Sequence, residues 1–202
     1  MPTLYDRLGG WYDRLAASER PLIAAGLQRL APRPGERVLE IGPGPGWALA
    51  QLAGAAQPGG YALGLDRSFA MLRAARKRLG GGPPAGLCCG DAARLPLASG
   101  GWDALFLSFT LELFPDAALP GVLAECRRVL RPGGRLGVVA LQAAARPGML
   151  SRAYSWAHAH FPRAIDCRPI PLAAWLERAG FQVQALEVRS LWGLPVAIAI
   201  GS

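Results

Sequence analysis

Residues 38–50 read VLEIGPGPGWALA, and the way this stretch is taken decides the fold. An apolar run carrying one carboxylate, Glu40, leads into three glycines that alternate with two prolines, and then into Trp-Ala-Leu-Ala. Glycine permits close backbone approach and positive φ. Proline stiffens φ and removes an N–H. The pattern predicts a strand, a tight rigid loop and a helix. Ligands bind at the carboxyl ends of strands in open α/β sheets, so this loop is the first place to look for a site. With Pro43 and Pro45 unable to donate, the amides of Gly42, Gly44 and Gly46 are the donors it has left, followed by Trp47 at the helix start. That makes a wall for a flat or extended ligand. It is not a P-loop, because Trp47 stands where GK[ST] should begin, and it is not GxGxxG, because position 47 is not glycine.

Outward from the loop, short apolar runs alternate with helical patterns, as in an α/β protein with a mostly parallel sheet and helices on both faces. Strands are expected at 36–41, 61–66, 85–91, 102–109, 135–141, 181–190 and 194–200. Helices are expected at 47–56, at 68–79 with Ser68 as cap and Phe69, Leu72, Ala75 and Leu79 on one face, at 116–130 and at 171–179. Two segments fall outside the rhythm: a helical lead-in, 1–34, in which Tyr5-Asp6-Arg7-Leu8 is echoed by Tyr12-Asp13-Arg14-Leu15, and an aromatic stretch, 143–170, expected to form a cap. The expected organisation is one domain: lead-in 1–34, core 35–142, cap insertion 143–170, and last helix and strands 171–202.

Composition narrows the function. Half of the 202 residues are hydrophobic, which excludes a disordered chain. The net charge is +8, yet the basic residues are scattered. The tightest group, Arg73, Arg76, Lys77 and Arg78, falls on the outer face of a helix, where a solvated role is the default. A nucleic-acid partner is therefore not expected. The four cysteines form no CxxC pair, so neither a metal site nor a disulfide framework is expected, and reduced thiols fit a cytoplasmic location. The uncharged run 41–65 is broken by glycines and prolines and does not read as a membrane span.

The loop spacing is ExGxGxG, beginning at Glu40. Together with Asp66 ending the second strand, GDAARLP (90–96), SFTLELF (108–114) and ECRRVLRPGGRL (125–136), it resembles the class I S-adenosylmethionine-dependent methyltransferases over residues 36–140. Tyr12-Asp13, GDAARLPL and LPVAIAIG point within them to the ubiquinone/menaquinone biosynthesis branch of small quinone- and lipid-type enzymes. The resemblance implies a doubly wound, Rossmann-like, seven-stranded sheet whose last strand is antiparallel. It implies S-adenosyl-L-methionine as cofactor, and a small-molecule or lipid-like methyl acceptor.

It also implies residue roles, each beside a plainer alternative. Glu40, with Gly42, Gly44 and Gly46, would serve the methionine end, or Glu40 stabilises the turn. Asp66, next to Arg67, would bind the ribose, or it caps the helix ahead of Ser68. Asp91 would meet the adenine amino group beside the Ala92 amide, or it is a turn residue. Met71 would pack on adenine, or it is core. Ser108 and Thr110 would lie near the methionine, or they satisfy local backbone. Methyl transfer needs no acid for its leaving group and a base only if the acceptor must lose a proton. Tyr12, His158 and His160 are the candidates for that base, and the two histidines cannot both face one way on a helix. Trp156, Phe161 and Tyr154 suggest an apolar acceptor pocket or simple cap packing. Two further readings share the strand-glycine-helix start: an NAD(P)-dependent oxidoreductase, and a non-catalytic cofactor-binding module.

Overall fold

The computed structural model describes residues 9–144, 146, 148–160 and 167–202, with side chains from residue 17 onward. The chain runs α1 (Gly9–Leu30), β1 (Arg37–Ile41), α2 (Trp47–Ala55), β2 (Tyr61–Asp66), α3 (Phe69–Leu79), β3 (Ala85–Cys89) and β4 (Trp102–Ser108). A 3₁₀ turn (Leu111–Leu113) precedes α4 (Leu119–Val129), β5 (Leu130–Leu141), α5 (Met149–His160), α6 (Leu172–Arg178), β6 (Val183–Leu191) and β7 (Leu194–Gly201). The Tyr5-Asp6 half of the lead-in echo and Phe161 lie outside the described residues.

The seven strands form one sheet in the order β3-β2-β1-β4-β5-β7-β6. β1 to β5 pair in parallel, and β7 is antiparallel to both its neighbours. This is the doubly wound, Rossmann-like sheet with a last antiparallel strand that the sequence led us to expect. Strand order reverses between β1 and β4, which opens a crevice beyond their carboxyl ends.

Alternation along the central strands divides the core. Leu105 and Leu107 of β4 face α4 and α6, together with Leu39, Ile41, Val122, Leu123 and Leu176. Ala104 and Phe106 face the other way, toward α1 and α2, with Leu22, Leu30, Leu49, Val139 and Ile198. On that second face α1 lies close to the sheet because Gly26 has no side chain: a Cβ there would stand 2.5 Å from Val139 Cγ2. Arg135 of β5 then fastens the end of α1, donating to the Leu30 and Ala31 carbonyls and pairing with Glu36 at 2.7 Å. Burial pushes the Glu36 carboxyl up, but the Arg135 guanidinium and the Arg33 N–H outweigh it and hold it below the usual range.

Several boundaries differ from the pattern, for local reasons. α4 begins at Leu119, not at 116, because Asp116 pairs with Arg168 at 2.8 Å and the turn ahead of Pro120 delays the helix. β3 stops at Cys89, which leaves Asp91 beyond the strand in an isolated bridge with Arg94. Ser68 caps α3, its side chain accepting from the Met71 N–H, and Leu72 and Ala75 are buried, but Phe69 at the helix start is 71% exposed.

Gly46 holds a packing position. Its φ is +81°, and an added Cβ would stand 2.9 Å from Ala75 Cβ, so the bare backbone lets α2 start against α3. Gly46→Ala should lower stability by about 1–3 kcal/mol through left-handed strain and overpacking. Urea unfolding midpoints would show it, and an unchanged midpoint would remove this role from Gly46.

Candidate functional site

The crevice between β1 and β4 is a cleft of about 540 Å³, within the usual size range of small-molecule sites. The glycine loop forms one wall and Phe109 and Thr110, following β4, the opposite one. The walls meet closely: a Cβ on Gly42, whose φ is +72°, would lie 2.5 Å from Thr110 Oγ1. Phe109 itself has a φ of +49°, an uncommon conformation for a bulky residue, at the rim of the cleft.

Two of the three loop amides are spent inside the protein, contrary to the expectation that they were its free donors. Gly42 N–H donates to Leu65 O and Gly46 N–H to Pro43 O. The Gly44 N–H lies close enough to the Asp66 carboxylate to work against the rise that burial causes there. The loop therefore offers a bare backbone surface. Arg78, expected to be a solvated helix residue, lines the cleft and donates to Pro45 O at 2.9 Å, bracing the loop from outside. Arg20 of α1 lies over the Trp47 ring, 5.9 Å from its centroid, at the start of α2.

Of the eleven residues singled out for ligand binding, Glu40, Gly42, Gly44, Asp66, Arg67, Met71, Asp91, Ala92, Ser108 and Thr110 line this one cleft. Gly46 does not; it packs under the loop. The plainer roles are also visible. Asp66 Oδ1 accepts from Ser68 N–H at 2.8 Å, Asp91 Oδ1 accepts from Ala93 N–H at 2.9 Å, and Thr110 Oγ1 donates to Ser108 O at 2.9 Å. These bonds fix the orientation of both carboxylates, while both residues remain on the cleft wall.

Glu40 is different. It is 1% exposed, and among the described residues its Oε2 has no hydrogen-bond partner. Burial, and after it the negative charge of Asp66, pushes its carboxyl up to about 8. Burial also raises Asp66, against the opposing pull of the Ser68 and Gly44 amides and Arg67. A carboxyl in this setting can, once ionised, accept from a cationic group such as an ammonium brought to this end of the cleft.

The acceptor side differs from the sequence expectation. His158 and His160 do not line the cleft: His160 stacks on Trp156, with ring centroids 4.5 Å apart, and its Nδ1 lies 2.8 Å from Trp156 O. Tyr154 packs inward, and its hydroxyl donates to Cys167 O. The Tyr12 side chain lies outside the described residues. The apolar lining comes instead from Phe109, Leu113, Phe114 and Pro115 after β4 and from Ile23 of α1. Sequence reasoning missed Glu19, Arg20 and Ile23 because a helix that precedes the first strand shows no motif. Their approach to the cleft depends on the Gly26 contact.

Residues 38–134 match the family described as "Methyltransferase domain". The chain is 36% identical to a nocamycin O-methyltransferase of Saccharothrix syringae, over 67% of this chain and 49% of that protein. It is 38% identical to a ubiquinone/menaquinone biosynthesis C-methyltransferase of Bordetella parapertussis, over 67% of this chain and 55% of that protein. The chain thus spans about half the length of these curated relatives. Among solved structures, the 1,6-didemethyltoxoflavin-N1-methyltransferase of Burkholderia thailandensis, with 1,6-didemethyltoxoflavin and S-adenosylhomocysteine bound, superposes with a TM-score of 0.71 at 19% identity, covering 98% of this chain and 82% of that one. At that identity the likeness is one of fold.

Glu40 has a consequence for stability. Its folded-state pKa lies above the unfolded value, so between about 4.5 and about 8 the folded chain keeps a proton that the unfolded chain releases. This group's contribution is complete below pH 4.5 and lost as pH rises through 8. Glu40→Gln should therefore flatten the fall in thermal midpoint across that window and raise the midpoint at pH 8. A variant with the wild-type slope would show that Glu40 is not the group responsible.

Proposed function

The 38–134 core belongs to the class I S-adenosylmethionine-dependent methyltransferases, and on that premise we propose that this chain methylates a small or lipid-like, apolar or aromatic acceptor by in-line displacement. The observation that carries the reading is the buried Glu40 with an unpaired oxygen at the end of a cleft walled by bare backbone.

The residues present fit the cofactor. Glu40 Oε2 offers the anionic acceptor that an amino-acid ammonium needs. Asp66, oriented by Ser68, has lone pairs left for the two ribose hydroxyls. Asp91 and the buried Ala92 stand where an adenine edge would be read, and Met71 supplies an adaptable apolar flank. When bound, the cofactor supplies a methyl group on positively charged sulfur, which departs as a neutral thioether.

The chain's own work is then binding, orientation and exclusion of water. The Arg78 bond to Pro45 O and the Gly42–Thr110 contact fix the two walls, so the nucleophile and the methyl can be held in line. Phe109, Leu113 and Phe114 present an apolar face to the acceptor. Where the acceptor must lose a proton, Glu19 of α1 is a carboxylate on the cleft wall within reach of that role. This lining also favours a metabolite over a nucleic acid. We take lead-in, core, cap and last strands as one working unit. We place it in the cytoplasm, which the four free cysteines support. Among the described residues no helix is long and apolar enough to cross a membrane.

Calorimetry with S-adenosylmethionine, S-adenosylhomocysteine and NAD(P) tests the reading; binding of NAD(P) in place of the first two would overturn it. Asp66→Ala and Asp91→Ala should each weaken cofactor binding by about 1–3 kcal/mol, the cost of unpaired hydrogen-bonding groups. Gly44→Val should block binding while the chain stays folded. Affinity should improve as pH rises toward 8, because an ammonium partner needs Glu40 ionised, and Glu40→Gln should remove that dependence.

A further inference from the structure

Eight large hydrophobic side chains are exposed among the described residues, and six of them stand at one edge of the molecule. Phe69 follows β2, Leu113 follows β4, Met149, Leu150 and Trp156 belong to the excursion after β5, and Trp192 forms the turn after β6. Every one of these strands runs in the same direction, so all six lie at the carboxyl edge, where the cleft opens. The excursion both leaves and returns there, since Gln142 bridges to Ile170. Leu113 is itself part of the cleft wall.

Trp192 adds an independent observation. The two-residue turn joining β6 to β7 is Trp192-Gly193, with φ of +51° and +82°. Such turns favour Asn-Gly, because a non-glycine residue at positive φ is strained. Here the strained position carries a tryptophan that is 59% exposed. Among the described residues it has no ring or cation stacked on it. Backbone strain held by an exposed aromatic points to a use outside the fold. The turn is also joined to α5, for a Cβ on Gly193 would lie 2.7 Å from Leu150 Cδ2.

Within the excursion the charge is one-sided, although Asp91 and Asp116 also stand exposed at this edge. Residues 142–160 contain Arg146, Arg152 and two histidines and no carboxylate. Arg67, Arg146 and Arg152 are all exposed. Met149, Arg152, Trp156 and His160 follow one another at helical spacing along the outer side of α5, whose inner side carries the half-buried Tyr154. Aromatic and aliphatic side chains mixed with arginine, on a helix lacking acidic residues, suit the headgroup region of an anionic bilayer.

We propose that the carboxyl edge docks on an anionic lipid bilayer through α5 and the Trp192 turn, holding the cleft mouth at the membrane surface. This extends the methyltransferase reading by naming where a lipid-like acceptor is collected, but docking itself needs no cofactor.

Sedimentation of the whole chain with phosphatidylcholine vesicles, alone or mixed with phosphatidylglycerol, tests it without cofactor present. Binding should appear on the mixed vesicles and fade at high salt. Trp192→Asn should lower vesicle partition about tenfold while the thermal midpoint holds or rises, because asparagine suits positive φ. Arg146→Gln with Arg152→Gln should lower it about tenfold or more. No partition by the wild type, or unchanged partition of both variants, overturns the proposal. So does a wild-type dimer in analytical ultracentrifugation that Trp192→Asn dissolves, for the patch would then cover a second copy. Cofactor affinity measured alongside keeps the two readings apart: vesicle binding with no S-adenosylmethionine binding would retain docking and discard methyl transfer.

Discussion

A carboxyl group buried with one oxygen unpaired works against folding, and the architecture around Glu40 is arranged to keep it that way. It sits on β1, the strand next to the point where the sheet order reverses, flanked in register by Gly64 of β2 and Phe106 of β4. Neither neighbour brings a side-chain partner. The nearest charge of consequence is Asp66, which has the same sign. Burial and the like charge of Asp66 together keep the Glu40 carboxyl protonated up to about pH 8.

The walls that hold this arrangement rigid are themselves held by backbone. The Gly42 amide is bonded to Leu65 of β2 and the Gly46 amide within the loop, and the loop carbonyl at Pro45 is taken by Arg78. Thr110 fills the space that a side chain at Gly42 would need. Pre-organisation of this kind reduces what a ligand must immobilise on arrival. Selectivity is then left to the few side chains that face inward.

Much of this was legible in the chain itself. Short apolar runs alternating with helical patterns, separated by glycine and proline, announced the sheet, and the parallel strands showed as near-continuous hydrophobic stretches. Glu40, Asp66 and Asp91 stood out as carboxylates within or just after otherwise apolar runs. Other features depended on tertiary contact and left no local trace. Gly46 looked equivalent to Gly42 and Gly44, and only the position of Ala75 separates its duty from theirs. Arg78 was one of four clustered cations until the Pro45 carbonyl distinguished it. The histidines of α5 drew attention by rarity, yet helical geometry turned them away from the cleft. Glu19, Arg20 and Ile23 reach the site only because α1 lies flat against β5.

The bridge between Gln142 and Ile170 bears on how such a chain changes over evolutionary time. Ala143 N–H bonds to Ile170 O, and Ile170 N–H to Leu141 O, so the polypeptide departs from the sheet and rejoins it at practically one spot. Whatever lies between can lengthen, shorten or be exchanged without shifting the pairing of β5 with β7. The excursion is thereby free to diversify while the sheet that shapes the cleft keeps its pairing.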